Sequence, residues 1–332
     1  MSEPTTSRAL WIVDRRRAEL RDEPLPSVGP GQVRVRTRFT AISRGTERLV
    51  VDGRVPPELA DAMRAPHQAG AFPWPVKYGY CNVGVVEAGA LPVGTRVFCL
   101  YPHQDRFVVD ADQVVPLPPD LPDGRAVLTA NAETALNAVW DARVGPGDRV
   151  AVVGAGVVGA LVAWLCGRIP GTDVTLIDVL PARAAVAEAL GVRFASPDRA
   201  DGDRDVVFHT SASPAGLATA IGLAGVEATV IELSWYGAGT IPAPLGGAFH
   251  HRRLTLRSSQ VGGLPVDRRP RWTYRRRVEA AMALLAHPAA EALIDGESSF
   301  ADLPRTLIEV ADAPGGWLCH RVRYEEGDRC SE

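Results

Sequence analysis

Three glycines, Gly154, Gly156 and Gly159, stand between an apolar run and a helical pattern in GDRVAVVGAGVVGALVAWLCGRI. The first glycine permits a tight turn, the second lets backbone approach a pyrophosphate, and the third allows helix and strand to pack closely. Val157 and Val158 begin the predicted helix, where backbone N–H groups and the helix dipole attract phosphate. The spacing therefore predicts a turn that binds a dinucleotide.

An acidic residue follows this turn at the expected distance. Asp178 ends the next predicted strand, 19 residues after Gly159. A carboxylate there accepts hydrogen bonds from ribose 2′- and 3′-hydroxyls and repels a 2′-phosphate. The pattern favours NAD over NADP, although Arg183 is close enough in sequence to weaken the preference. The alternative is a turn without a ligand, in which Asp178 caps the helix that follows Pro181.

Polar residues also follow two later predicted strands. His209 and Ser211 end the stretch RDVVFHTS, and Ser234 follows EATVIEL. Ligands of doubly wound sheets bind outside the carboxyl ends of the strands, so we expect these three side chains to border the cofactor. Trp235 and Tyr236, which come next, are alternatively plain packing residues.

Strand and helix signals divide the chain into three parts. The first has short valine-rich runs between Pro and Gly, which predict a small antiparallel β domain. The middle alternates strands and helices, which predicts parallel βαβ units. The tail has helices and one strand, WLCHRVRYEE, and is too short to be a domain, so we expect it to rejoin the first part. We predict an α/β protein with a β-rich domain at 1–125 and 264–332 and a doubly wound parallel sheet at 126–263.

The composition narrows the classes of partner. With 332 residues, 46% of them hydrophobic and 23% charged, the chain is expected to form about two globular domains. A net charge of -3 argues against nucleic-acid binding, which requires a basic surface. Five cysteines without a C-x-x-C pair predict neither a disulfide framework nor a cysteine-built zinc site. Because no apolar run has signal-peptide or membrane-spanning length, we expect a cytoplasmic protein that acts on a small molecule.

The order of β-rich domain, dinucleotide fold and returning tail resembles the medium-chain dehydrogenase/reductase superfamily, the relatives of zinc alcohol dehydrogenases. The resemblance spans essentially the whole chain. Its marks, besides the glycine turn, are ISRGTERLVVDGRVP at 42–56, YGYCNVGVVEAG at 78–89 and ANAETALNAV at 130–139. It implies a GroES-like first domain, a Rossmann second domain, and a homodimer that pairs through the predicted edge strand LTLRSSQ at 254–260. The ISxGTE stretch is similar to the branch that includes the bacteriochlorophyllide hydroxyethyl dehydrogenase, although the lengthened middle segment of that branch is missing.

The zinc ligands of the superfamily are replaced in this sequence. Zinc members use a cysteine after the first long strand, a Gly-His-Glu triplet, and a cysteine four residues before a threonine. The corresponding positions here are Ser43 or Arg44, the triplet Gly79-Tyr80-Cys81, and Ala130. The four-cysteine lobe of structural zinc is missing as well. The resemblance therefore implies a zinc-independent member, with Cys81 and His103 as the two residues left for an alternative metal site.

Without zinc, the substrate oxygen needs a hydrogen-bond donor or an acid/base group. Tyr80 takes the place of the metal-binding histidine; its phenol would donate to a carbonyl, accept a proton if its pKa is lowered, or merely fill space. His103 titrates near neutral pH but is alternatively a solvated loop residue. Glu47 would orient a base or substrate, or act only as a carboxylate at a helix N-terminus. Thr134, on the segment joining the two predicted domains, is expected to contact the nicotinamide.

Six arginines occur in RRPRWTYRRR at 268–277. They predict either a solvated helix face or a grip on an anionic substrate through Arg275 or Arg276. The expected function is zinc-independent, NAD(H)-dependent hydride transfer between nicotinamide and a secondary alcohol or carbonyl of a small molecule. Two alternatives stay open: reduction of an activated C=C bond, as in quinone and enoyl reductases, and binding of NAD without catalysis.

Overall fold

The computed structural model describes residues 4–313 and 316–325, and the chain divides into two compact units. The first unit comprises the described residues up to Ala130, Met282–Ala286, and the described residues from Ile294 onward. The second comprises Asn131–Ala281 and His287–Leu293. The second unit extends to Ala281, beyond the boundary at 263 expected from the sequence, so most of the helix that begins at Tyr274 belongs to it.

Short strands make up most of the first unit, as its Pro- and Gly-punctuated sequence predicts. The strands are β1 (Thr6–Asp14), β2 (Arg17–Pro24), β3 (Gln32–Ile42), β4 (Ala69–Gly70), β5 (Val76–Lys77), β6 (Asn82–Gly89), β7 (Arg96–Cys99), β8 (Arg106–Asp110), β9 (Val115–Pro116), and, late in the chain, β16 (Ile294–Ser299) and β17 (Cys319–Arg323). The helices are α1 (Arg44–Val51), α2 (Asp123–Ala126) and α8 (Leu303–Asp312), with 3₁₀ turns at Pro57–Leu59 and Ala111–Gln113.

Strand β3 organises the larger sheet of the first unit. The sheet order is β16-β17-β3-β6-β7-β9, with β8 also paired to β3, and a smaller sheet has the order β2-β1-β5-β4. Strand β17 runs antiparallel to β3, so the tail returns to the first unit as expected. Strand β16 is an addition to the single predicted tail strand; its sequence, IDGESS, lacks the alternation of apolar residues by which strands are recognised.

The second unit alternates strands and helices. Its strands are β10 (Arg149–Val153), β11 (Asp173–Ile177), β12 (Arg193–Ala195), β13 (Arg204–His209), β14 (Ala224–Glu232) and β15 (Thr255–Ser258). The helices are α3 (Thr129–Ala142) and α7 (Tyr274–Leu285), which cross the unit boundaries, and α4 (Val157–Gly167), α5 (Arg183–Ala189) and α6 (Pro214–Leu223); a wide turn covers Leu245–Phe249 and a 3₁₀ turn Pro288–Leu293.

All strands of the second unit are parallel, in the order β12-β11-β10-β13-β14-β15. Counted along the chain, this is the 3-2-1-4-5-6 order of the Rossmann fold, so the predicted doubly wound sheet is confirmed. The order reverses between β10 and β13, and that point is where such sheets bind ligands. Strand β15, from the stretch predicted as an edge strand, does form an edge of the sheet. In the described part of the chain no helix is both long enough and apolar enough to span a bilayer.

Candidate active site and cofactor site

The turn after β10 has a geometry that requires glycine. Gly154 has φ of 111°, in the left-handed region, and a Cβ on it would lie 2.7 Å from the amide nitrogen of Ser211. A Cβ on Gly159 would overlap the carbonyl oxygen of Gly154, so a larger residue would push α4 away from the sheet. A Cβ on Gly156 would meet nothing within 4 Å. Open space therefore lies over the middle of the turn, beside the partly exposed Val157 and Val158 at the start of α4.

Asp178 is tied to the same turn. It follows β11; its Oδ2 accepts a hydrogen bond of 2.7 Å from the Ala155 amide, and its Oδ1 accepts one of 2.9 Å from the Leu180 amide. Each carboxylate oxygen can accept a further bond, so the residue has capacity for ribose hydroxyls. Arg183, the sequence-based candidate for a 2′-phosphate partner, is buried at the start of α5.

A polar network joins the carboxyl ends of β13 and β14. His209 is fully buried; its Nδ1 lies 2.7 Å from Glu232 Oε2 and its Nε2 lies 2.7 Å from Ser211 Oγ. The Ser234 amide donates to Glu232 Oε1 at 2.7 Å, and the Tyr236 hydroxyl donates to Oε2 at 3.0 Å. The structure thus brings together His209, Ser211 and Ser234, which the sequence singles out, and adds Glu232 and Tyr236.

The sequence analysis did not identify Glu232, although its position could have been inferred. In the parallel register His209 is paired with Glu232, so the last residues of two adjacent strands meet. Burial acts to raise the pKa of Glu232, but hydrogen bonds from His209 and Ser234 outweigh it and hold the pKa below its ordinary value. Burial and the adjacent Glu232 raise the pKa of Tyr236, whose phenol therefore stays a donor.

A second missed cluster lies on α3. Arg277 of α7 is buried, its Nε lies 2.9 Å from Glu133 Oε1, and it also donates to Asn137 Oδ1 and to the carbonyl of Val261. Glu133, Asn137 and Asp141 are spaced four residues apart and so share one helix face, a signal visible in the sequence. Glu133 is thus committed to Arg277, while Thr134 lies half-buried on the same helix.

The two arginines that precede Arg277 in the sequence, Arg275 and Arg276, have other partners. Arg275 pairs with Glu279 at 3.0 Å, one helical turn away, and the guanidinium of Arg276 lies 4.0 Å from the ring centre of Trp272. Both side chains are exposed, which agrees with the interpretation of this stretch as a solvated helix face. Only Arg277 is buried, and its contacts are structural.

In the first unit, Tyr80 lies half-buried just before β6, with its phenol hydrogen-bonded to the side chain of Ser43. Its ring meets that of Tyr78 edge-on, with the centroids 6.0 Å apart. Burial, together with the neighbouring Cys81, Tyr78 and Glu47, raises the pKa of Tyr80 well above its ordinary value. The alternative in which a lowered pKa makes Tyr80 a base is therefore not supported, and the phenol is held as a hydrogen-bond donor.

His103 and Glu47 form a buried pair behind Tyr80, each with 1% of its surface exposed. Nε2 of His103 lies 3.1 Å from Glu47 Oε2, and its Nδ1 lies 2.7 Å from Thr40 Oγ1. Glu47, in the first turn of α1, also accepts a 2.7 Å bond from the Ser43 amide. The interpretation of His103 as a solvated loop residue is wrong. Since both ring nitrogens are engaged, His103 is placed to orient its neighbours rather than to exchange protons with a substrate.

The side chains in this cluster do not fit a zinc site. His103 uses both nitrogens within the protein, and burial raises the pKa of the Cys81 thiol well above its ordinary value, which disfavours the thiolate that zinc needs. Among residues 4–313 and 316–325, no three His, Cys, Asp or Glu side chains are grouped closely enough to hold a metal ion.

Comparison with known proteins relates both units to dehydrogenases. The chain is 26% identical over 316 residues to D-guloside 3-dehydrogenase of Escherichia coli K12, an alignment that covers 85% of this chain and 89% of the relative. It is 27% identical over 283 residues to (R,R)-butanediol dehydrogenase of Bacillus subtilis 168, covering 72% and 78% of the two chains. No family model matches the sequence.

Solved structures share the whole fold. An alcohol dehydrogenase of Escherichia coli CFT073 in complex with NADH superposes with a TM-score of 0.76 at 15% identity, over 96% of this chain and all of that one. These neighbours confirm the GroES-like and Rossmann folds predicted for the two parts of the chain. In sequence and in fold, the chain is similar to zinc-type alcohol dehydrogenase-like proteins of the medium-chain dehydrogenase/reductase type.

Proposed function

We propose that this protein is a zinc-independent, NAD(H)-dependent oxidoreductase that transfers hydride between nicotinamide and a secondary alcohol or carbonyl of a small molecule. The observation that carries the proposal is the half-buried phenol of Tyr80, which stands where zinc members have a metal-binding histidine and is held protonated. A donor in that position polarises a carbonyl oxygen by a hydrogen bond, in place of the Lewis acid.

The roles of the protein groups follow from their contacts. In the reducing direction Tyr80 donates to the carbonyl oxygen and supplies its proton as the alcohol forms, and solvent then reprotonates the phenolate. In the oxidising direction the same steps run in reverse: the phenol first loses its proton to solvent, which its raised pKa makes unfavourable, and the phenolate then takes the alcohol proton. Ser43 fixes the phenol, and the Glu47–His103 pair fixes the Ser43 backbone. A bound nicotinamide supplies or accepts the hydride. In this proposal, these protein groups polarise the substrate oxygen and exchange its proton without a metal.

The proposed cofactor is NAD rather than NADP. Support comes from the glycine turn and from Asp178, whose carboxylate is fixed at the turn by the Ala155 amide and would face the ribose hydroxyls. A 2′-phosphate would meet that negative charge, and the buried Arg183 offers it little compensation. Thr134 is proposed as a further cofactor contact, on the strength of the superfamily resemblance.

The substrate class proposed is a polyol or sugar derivative. The relatives include dehydrogenases named for a D-guloside and for butanediol, whose reacting groups are secondary alcohols. These names favour alcohol oxidation over reduction of an activated C=C bond. The exposed Arg275 and Arg276 have partners of their own, so the proposal does not extend to an anionic substrate.

We also propose a homodimer paired through β15. This strand forms an edge of the parallel sheet and exposes 38% of the Leu256 surface, so its backbone and an apolar side chain are both presented for pairing. Light scattering would test it, and a monomer at micromolar concentration would contradict it.

A cofactor and substrate survey tests the proposed function. Purified protein would be treated with a chelator and assayed with NAD or NADP against polyols, glycosides and diols, while the absorbance of reduced nicotinamide is followed. We expect NAD-linked oxidation of at least one secondary alcohol that survives chelation. Tight binding of NADPH with reduction of an enone would favour the C=C alternative. NADH binding with no turnover of any substrate would favour the non-catalytic one.

A further inference from the structure

A continuous series of hydrogen bonds runs from Glu232 through His209 to Ser211. The two bonds to the imidazole are both 2.7 Å long, between Glu232 Oε2 and Nδ1 and between Nε2 and Ser211 Oγ. His209 has no exposed surface, while Ser211 is partly exposed. Ser211 and Glu232, whose side chain is 16% exposed, are therefore the ends of the series that a ligand can reach, and His209 is not.

The direction of each proton can be derived from the partners. Glu232 is a carboxylate and can only accept, so Nδ1 of His209 carries a proton. In the tautomer with its proton on Nδ1, Nε2 is an acceptor, and the Ser211 hydroxyl donates inward to it. The oxygen of Ser211 consequently presents lone pairs to its surroundings, which include the hydroxyl of Ser213 at 3.1 Å.

The order Ser-His-Glu is also that of a hydrolase triad, but the surroundings argue against a nucleophile. An oxyanion hole commonly uses the amide of the residue after the serine. Here that amide, on Ala212, donates to Ser234 Oγ at 3.1 Å. The Gly216 amide at the start of α6 donates to Ser213 Oγ. With these donors engaged, the arrangement suits a binding group rather than covalent catalysis.

Ser211 lies against the first glycine of the dinucleotide turn. A Cβ on Gly154 would lie 2.7 Å from the Ser211 nitrogen, and the hydroxyl of Thr210 donates to the Gly154 carbonyl at 2.7 Å. The loop after β13 and the loop after β10 are thus in direct contact at the point where the sheet order reverses. A ligand lying over the glycine turn would therefore lie beside the partly exposed Ser211.

We propose that Ser211 binds the cofactor by accepting a hydrogen bond from a hydroxyl or amide donor of the dinucleotide, and that His209 and Glu232 are positioning residues that fix the orientation of its hydroxyl. The inference rests on the proposed function, since it presumes that a nicotinamide dinucleotide binds here. It gives the buried His209 a role in cofactor affinity without direct contact with the cofactor.

Dissociation constants for NADH, measured by titrating the protein fluorescence, test the inference. S211A should bind NADH about three- to tenfold more weakly, the loss of one hydrogen bond. H209N keeps an amide nitrogen near the place of Nδ1 but has no group at Nε2, so it should weaken binding to a similar degree. H209Q carries an amide oxygen toward the place of Nε2 and should restore most of the affinity. T219A, which removes an exposed hydroxyl of α6, is the matched control.

The double variant S211A/H209N distinguishes positioning from a merely structural role. If His209 acts through Ser211, the double variant should bind NADH no more weakly than S211A. Additive losses, or loss of NADH affinity in step with a lower urea midpoint, would overturn the inference. S211A with wild-type affinity would overturn it as well. Failure of the wild-type protein to bind either NADH or NADPH would instead refute the proposed cofactor, and with it both proposals.

Discussion

The carboxylate of Glu47 lies 3.1 Å from Nε2 of His103, and 1% of either residue is exposed to solvent. The same carboxylate accepts the Ser43 amide, so one acidic group satisfies two buried donors. Because Ser43 in turn holds the Tyr80 phenol, the pair connects the interior of the first unit to the proposed proton donor. The buried contacts thus give Glu47 two effects, one on stability and one on the orientation of Tyr80.

Replacement of Glu47 by alanine should therefore destabilise the protein and lower its rate of carbonyl reduction. E47A leaves the Ser43 amide and the His103 ring without their acceptor, at a cost of about 1–3 kcal/mol in the free energy of unfolding. E47Q should cost less, because its amide oxygen can accept from the Ser43 amide and its amide nitrogen can donate to Nε2 of His103 in the tautomer that carries its proton on Nδ1. Urea unfolding measures both; E58A, at an exposed glutamate, is the control. Equal effects of E47A and E58A would contradict the prediction.

Tyr80→Phe should lower kcat for carbonyl reduction by about a hundredfold or more, the usual effect of removing a general acid. Affinity for NADH and the unfolding midpoint should hardly change, since the substitution removes one hydroxyl from a half-buried side chain and keeps its ring. Y78F removes the hydroxyl of the adjacent buried tyrosine and is the matched control. A rate for Y80F within threefold of the wild-type rate would leave Tyr80 as a space-filling residue only.

The raised pKa of Tyr80 sets the pH dependence of that step. Burial favours the neutral phenol, so in the reducing direction Tyr80 stays in its active, protonated form up to and beyond its ordinary pKa of about 10. We expect a kcat profile for reduction with no fall between about pH 7 and pH 9 due to this residue. A fall in that range that vanishes in Y80F would show a lowered pKa.

Local sequence predicted the cofactor turn better than it predicted the acid/base group. The glycines and Asp178 act within a few dozen residues of one another, so their spacing alone specifies the βαβ unit. The His103–Glu47 contact spans 56 residues and depends on how β3, α1 and the loop after β7 meet. The sequence left open whether His103 is exposed to solvent. In the structure it is buried, and both of its ring nitrogens are hydrogen-bonded. The structure also shows why residue 79 is glycine: it has φ of 119°, and a Cβ there would lie 2.8 Å from His103 Cδ2.

Local sequence also failed to predict strand β16 and the contacts of Arg277 with helix α3. Polar and small residues in IDGESS form a strand only because β17 offers a partner, a long-range effect that local propensity does not contain. Arg277 looks like its exposed neighbours in the sequence, and only the packing of α7 against α3 separates it from them. Tertiary contacts thus decided which of several similar residues has a role.

Asp178→Asn should weaken NADH binding by about tenfold or more, because a carboxylate that accepts two ribose hydroxyls is worth more than a neutral amide. The relative affinity for NADPH should rise, since the charge that opposes a 2′-phosphate is removed. Parallel titrations of both cofactors give the ratio, with D198N at an exposed position of the same unit as control. A ratio unchanged from the wild type would mean that Asp178 only ties the turn to Ala155.

Arg277→Met should destabilise the protein by about 3–5 kcal/mol, since it leaves the buried Glu133 without its partner. Burial alone acts to raise the pKa of Glu133, and Arg277 opposes that effect. R275M, which breaks an exposed pair with Glu279, should change the free energy of unfolding by less than about 1 kcal/mol. R277M/E133Q should recover part of the loss. Urea unfolding of the four proteins provides the comparison, and equal losses in R277M and R275M would contradict the buried role.

His320 should make stability fall in mild acid. It is buried on β17, with Nε2 3.0 Å from Ser298 Oγ and, within the described residues, no hydrogen-bond partner for Nδ1. Burial lowers its pKa below the ordinary 6.5, although Asp295, Glu297 and Glu309 oppose the shift. The unfolded chain therefore binds the proton more readily, so the contribution is complete above about pH 6.5 and is lost as the pH falls through the lower folded-state pKa.

The measurement is urea unfolding of the wild type, H320Q and H250Q at several pH values from about 5 to about 8. Between pH 6.5 and 5 the free energy of unfolding of the wild type should decrease as the pH falls, and H320Q should show a shallower decrease. His67, whose pKa is also lowered by burial, accounts for part of the remaining slope. H250Q replaces an exposed histidine and should reproduce the wild-type slope. A wild-type slope in H320Q would mean that His320 is protonated as readily in the folded protein as in the unfolded chain.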